Sequence, residues 1–279
     1  MRSLLIILAL ILLSPSLYSF KPSKSKDRNF NIASVRVVQV RSTPDPSTVT
    51  LKTIFPRPYE NKRKNPINIQ LRLENFTLGA LSSHDRASEI YNHIEGQSIH
   101  VFIDDSPYFS CSVKVQNPVQ DNSNVLDQIL SCLVPFNLEP GQHVIRCFPT
   151  YSYGESLKKE GCFKTQIFYF HDPLKTHTFN YDPKGPYLTY NEPQGVYPVS
   201  KSNPILLDFY LTNCILSKDG YKIRFSINNQ FVTTLIEWSP YYIYGLQKGR
   251  YLFKLELLDK NDILVSGCFN YQERDVIID

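Results

Sequence analysis

The 279-residue chain lacks most of the residue patterns that announce chemistry. It has no CxxC, no HExxH, no GxSxG and no glycine-rich phosphate loop, so no zinc, nucleophile or nucleotide signature marks an active site. His171, Asp172 and His177 lie near one another but without zinc-site spacing, and they read as solvated linker residues. No metal and no cofactor are expected. Asp104-Asp105 and Asp259…Asp262 close alternating segments, where aspartate ordinarily supports turns. Helical periodicity is nearly missing: HDRASEIYNHI (84–94) is the one plausible helix. Beyond the N-terminus no hydrophobic run approaches the roughly 20 residues of a membrane-spanning helix, so the mature chain is expected to carry no transmembrane span. Positive charge is also scarce where a nucleic-acid binder needs it. The net charge is +4, and residues 1–28 alone hold five Lys and Arg against Asp27, 5 − 1 = +4. The rest is formally neutral, which argues against a nucleic-acid partner.

What is present begins at the N-terminus. MRSLLIILALILLSPSLYSF places Arg2 before the apolar run Leu4 to Leu13 and small residues after it, the order of a secretory signal over residues 1–19. Residues 20–44, including KPSKSKDR, read as a basic flexible leader. The chain is therefore expected to be exported, to the periplasm or the cell surface.

The tripeptide GCF occurs at 161–163 and again at 267–269. Its surroundings repeat as well. NPINIQLRLENFTLG (65–79) matches NPILLDFYLTNCILS (203–217), GQSIHVFIDD (96–105) matches GYKIRFSINN (220–229), and LEPGQHVIRCF matches LQKGRYLFKLE. The offset between copies falls from 138 to 124, 108 and 106, so the first copy carries extra residues in its connections. Each copy offers six or seven short alternating segments separated by Pro, Asn, Gly and Asp. That pattern predicts an all-β protein of two tandem immunoglobulin-like antiparallel β-sandwiches. The first is placed at 45–172 with an insertion around 111–135, and the second at 173–279. The junction falls in HDPLKTHTFNYDPKGP (171–186).

The order NPxxLxxxLxNxxL … GxxIxxxIxN … PYxIxGLxxGxxxxKLxLxDxxxxxVxGxFN resembles a family of secreted or envelope-associated bacterial proteins with tandem immunoglobulin-like (fibronectin III-like) domains. The resemblance covers about residues 50–278 and is fullest over PYYIYGLQKGRYLFKLELLDKNDILVSGCFN (240–270). Its motifs are turn glycines and core alternation, so it implies a fold and an exported setting but no activity, cofactor or site residue.

Six cysteines in an exported chain suggest disulfides. Proximity favours Cys111 with Cys132 and Cys147 with Cys162, leaving Cys214 with Cys268; buried free thiols are the alternative. EWSPYYIYGL (237–246) crowds Trp238, Tyr241, Tyr242 and Tyr244 into one short segment. On a strand, Tyr242 and Tyr244 share one face and Tyr241 and Ile243 the other. Exposed, these rings would bind a ligand; otherwise they fill the core or the junction between the sandwiches. The expected function is non-enzymatic: binding or adhesion at the envelope with a protein or glycan partner. The alternatives are envelope assembly by strand addition and a hydrolase with an unrecognised site.

Overall fold

The computed structural model describes residues 32–46, 48–112, 127–172 and 181–279. The expected signal, residues 20–31 of the leader, and His177 lie outside the described residues. In chain order the strands are β1 (Arg36–Gln39), β2 (Thr50–Phe55), β3 (Asn61–Lys62) and β4 (Asn68–Glu74), then the one-turn helix α1 (Arg86–Glu89). They continue as β5 (Ser98–Ile103), β6 (Phe109–Cys111), β7 (Asp127–Leu133), β8 (Gly141–Thr150) and β9 (Lys164–Phe170). The second half holds β10 (Tyr187–Glu192), β11 (Gly195–Tyr197), β12 (Ile205–Thr212) and β13 (Lys222–Ile227). It ends with β14 (Phe231–Leu235), β15 (Tyr241–Tyr244), β16 (Gly249–Leu258) and β17 (Tyr271–Ile278).

Sheet β2-β4-β7 packs on sheet β3-β9-β8-β5-β6, and β10-β12-β15 packs on β11-β17-β16-β13-β14. Neighbours are antiparallel except β3 with β9 and β11 with β17, the same exception in each half. Strand for strand the two halves are one topology, so the chain is two tandem immunoglobulin-like sandwiches. Alternation explains the packing: in β4, Ile69, Leu71 and Leu73 are buried, and in β16 Tyr251, Phe253 and Leu255 are. Each fully buried aliphatic or aromatic side chain stabilises the fold by about 1.5–3 kcal/mol. The repeat extends to single hydrogen bonds. Asp104 Oδ1 accepts from Val144 N at 2.8 Å, and Asn228 Oδ1 accepts from Leu252 N at 2.7 Å. Asp104 thus holds a turn, as its position predicts. GCF is a turn as well: Gly161 (φ 88°) and Gly267 (φ 128°) occupy the left-handed side just before β9 and β17, a backbone that favours glycine.

Three expectations need correction. The leader is not flexible throughout, because β1 lies within it and pairs with β15, from Arg36 opposite Tyr244 to Gln39 opposite Tyr241. Val35 and Val37 pack on the second core, and Gly245 permits the approach because a Cβ there would collide with the Ser34 carbonyl. The helix expected over 84–94 is one turn, since no side chain caps it and Ile90 is already extended. Of the cysteine pairs only Cys111–Cys132 forms, with Cα atoms 5.8 Å apart, and it ties β6 to β7 across the first sandwich. Cys147 and Cys162 share a core but are unbridged. Cys147 interacts with Thr53 and Cys162 with the Val49 carbonyl, positions about 13 Å apart at the rise of an extended chain. Cys214 packs on the second core and Cys268 on a separate cluster with Tyr187 and Phe269, so they too are unbridged.

Candidate functional site

The connection from β4 to β5 spans residues 75–97, 23 residues, whereas that from β12 to β13 spans 213–221, 9 residues. The difference of 14 equals the fall in repeat offset from 138 to 124. These extra residues wall a cleft of 670 Å³, closed on its other side by Pro44 and Pro46 of the leader and floored by Phe76 and Tyr151. The rim is fixed by its own hydrogen bonds. Gln97 Nε2 donates to the Thr77 carbonyl (2.6 Å), Ser82 Oγ to Gln97 Oε1 (3.0 Å), and Tyr151 OH to the Pro44 carbonyl (2.9 Å). Backbone N–H groups along the wall are also used, Gly79 to the Gln97 carbonyl and Gln97 to the Ala80 carbonyl, both at 2.8 Å. The Asn75 amide, part of a glycan-acceptor pattern, donates to the Thr48 carbonyl at 2.9 Å. By contrast the side chains of Thr77, Ser83 and Asp85 are exposed and hydrogen-bond no described residue. His84 Nδ1 accepts from Arg86 N at 3.2 Å, which leaves Nε2 as the N–H.

Behind the cleft the same connection builds a buried latch. Arg86 Nη1 pairs with Glu155 and donates to Thr43 Oγ1 (3.1 Å); Nη2 donates to the Arg41 carbonyl (2.6 Å) and Nε to Tyr242 OH (3.0 Å). Tyr242 OH donates to Glu89 at 2.6 Å, and Thr43 Oγ1 donates to Glu155 at 2.7 Å. The Arg86 and Glu155 side chains are 6% and 1% exposed. Burial works against the guanidinium charge, yet Glu155 and Tyr242 raise its pKa overall. One arginine therefore joins the leader, two connections of the first sandwich, and β15 of the second.

The seam between the sandwiches is polar throughout. Lys158 of the β8–β9 connection pairs with buried Asp208 of β12 at 2.5 Å, and Asn191 Nδ2 donates to the same carboxylate at 2.7 Å. Glu192 accepts from Tyr108 OH and Tyr197 OH, each at 2.5 Å. Burial pushes its carboxyl up to about 7 against the pull of those two donors. Arg146 stacks on Phe269 at 3.7 Å and donates to the Leu188 carbonyl and Thr189 Oγ1, with burial lowering its pKa to about 10. It remains charged at neutral pH.

This seam decides the fate of the aromatic segment. Tyr241 and Tyr242 are each 5% exposed. Tyr241 and Ile243 face the second core, whereas Tyr242 and Tyr244 pack on the first. Trp238 donates from Nε1 to the Phe209 carbonyl (3.0 Å) and sets its edge on Tyr210; Arg36 lies over the Tyr244 ring. Both faces of β15 are covered because a sandwich lies on each side, and these rings present no open platform. Burial raises the thiols of Cys162, Cys214 and Cys268 to about 11 and that of Cys147 to about 12, so at neutral pH they are thiols, not nucleophilic thiolates. His171 is exposed and Asp172 accompanies Asn61; no group of three metal-binding side chains occurs among the described residues. Thr77, Ser83, His84 and Asp85 carry no motif of their own, and the break in repeat offset is the signal that locates them.

No family model matches the chain, and no curated protein matches it in sequence. Solved structures with some likeness include the fibronectin(III)-like modules of Clostridium thermocellum CbhA, at 7% identity and TM-score 0.26, covering 82% of this chain and 94% of that one. The D00-D0 domain of intimin aligns at 10% identity and TM-score 0.22, covering 83% and 100%. Dimeric latent PorU from Porphyromonas gingivalis aligns at 11% identity and TM-score 0.24, covering 93% of this chain and 22% of that one. At such scores these likenesses carry no argument, and the fold rests on the strand order above.

Proposed function

We propose that the chain is an exported, non-enzymatic binding module of the cell envelope whose ligand is a protein or a glycan. The observation that carries this reading is the cleft: a preformed concavity whose rim is held by buried bonds while several polar side chains in it stay unengaged. Ligand sites are commonly concavities of about 300–1,000 Å³ with a few placed polar groups. Export is supported by the N-terminal signal pattern and by the Cys111–Cys132 disulfide, a bond that persists in oxidising compartments. Among the described residues no helix is long and apolar enough to cross a membrane.

The test is capture from cell-envelope protein and from insoluble polysaccharide by residues 20–279, beside the cleft-filling variant Ser83→Trp with its folding checked by circular dichroism. Retention that the variant loses is the expected result; equal retention by both proteins overturns the cleft as the site. A second reading, envelope assembly through strand addition, is favoured by β1, which lies outside both sandwiches in sequence and completes the sheet edge at β15.

A further inference from the structure

Resting on that reading, we infer that the cleft between Pro44–Pro46 and residues 75–85 is a site for a neutral saccharide chain. Three features select this class. The unengaged groups mix donors and acceptors: the Thr77 and Ser83 hydroxyls, the His84 Nε2–H and the Asp85 carboxylate. Sugar hydroxyls both donate and accept, and they match such a set, whereas a ligand with only acceptors would leave Asp85 unpaired. The lining contains no Lys or Arg, so a phosphate, sulfate or uronate would meet a carboxylate with no cation to offset it. The wall N–H groups of Gly79 and Gln97 are already paired, and Ser82 N donates to Ser152 Oγ at 2.9 Å, which leaves no ladder for an added peptide strand. Across from these groups the exposed Pro44 and Pro46 rings give an apolar wall for the C–H faces of a pyranose. The cleft is open along one side and has volume for more than one ring, so it takes a chain and not only a terminal sugar.

The experiment is isothermal titration of residues 20–279 with chitotetraose, cellotetraose and mannotetraose, beside tetragalacturonate and tetralysine as charged probes. Asp85→Ala and Ser83→Trp are run in parallel, with urea midpoints to establish that both fold. Saturable binding of at least one neutral probe, weakened about tenfold or more by each variant, is expected, and tetragalacturonate is expected not to bind. If no neutral probe saturates, or the variants bind it as well as the parent does, the saccharide assignment is overturned. Tetralysine binding that Asp85→Ala abolishes, without sugar binding, overturns the saccharide class but keeps the cleft as a binding site. Unchanged envelope capture by Ser83→Trp, with no probe bound, overturns both.

Discussion

The two sandwiches share strand order, parallel exceptions and turn hydrogen bonds, yet the first is longer at two connections and the second is plain at both. The longer β4–β5 connection makes the cleft and the Arg86 latch; the longer segment between β6 and β7 is spanned by the Cys111–Cys132 bond. A quieter difference sits where β8 and β16 begin. In the second sandwich Tyr251 OH donates to the Gln247 carbonyl four residues back, at 2.7 Å, a tyrosine corner. In the first, His143 takes that position, its Nε2 at 2.8 Å from the Glu139 carbonyl and its Nδ1 at 2.6 Å from Asp104. Asp104 in turn replaces Asn228. A neutral corner in one copy is thus an imidazolium–carboxylate corner in the other. Duplication supplied the scaffold, and the additions to one copy supplied a clamp and a concavity.

The sharpest way to break this comparison is Arg86→Ala. It leaves Glu155 buried without its partner, and loss of one member of such a pair costs about 3–5 kcal/mol. A urea titration reads this directly. Arg250→Ala in the second sandwich removes only an exposed pair with Asp275 and shifts the midpoint little.

Next comes pH. Glu192 has a folded pKa of about 7, above the ordinary range of about 4.3. Its contribution is fully present below the unfolded value and is lost as pH rises through 7, on the order of 3 kcal/mol. The stability of Glu192→Gln is expected to be flatter between pH 4 and 8. A parent curve that rises over that window would sink the assignment.

Cys111→Ser with Cys132→Ser opens a bridge of sequence separation 21 and costs about 2–4 kcal/mol of first-sandwich stability. Reductant reproduces the loss in the parent and leaves the double variant unchanged.

The smallest effect is expected at the corner. Burial lowers the His143 pKa, but the hydrogen bond and charge of Asp104 raise it overall. Its contribution is therefore present below the ordinary histidine value and lost as pH rises through the folded one. Asp104→Asn with His143→Tyr installs the second copy's pair, and it is expected to remove about 1 kcal/mol of pH-dependent stability. Thermal melts at pH 5 and pH 8 check this.

Much of the scaffold is legible in the residues. Period-two alternation at 69–73 and 251–257 marks strands, and the paired landmarks mark a duplication. Cys111 and Cys132 are paired by proximity alone. Less visible is what depends on contact between distant segments. RVVQ (36–39) is too short to read as a strand, and its partner lies about 200 residues away. Tyr241 and Tyr242 look available because a sequence reveals alternation but not the second sandwich that covers the other face. Arg86, Glu155 and Tyr242 belong to three separate segments, and only folding brings their charges and hydroxyls together. The cleft occupies a middle position: its side chains are unremarkable, but the 14 residues the second copy lacks mark where it forms.

The central claim is that the additions to the first copy are where the molecule works, and the most direct measurement is residue-resolved NMR shift mapping during a chitotetraose titration. The account predicts saturable changes centred on Thr77, Ser83, His84 and Asp85, with the matching turn at 213–221 unmoved. Changes confined to the second sandwich, or none at any concentration, would contradict it.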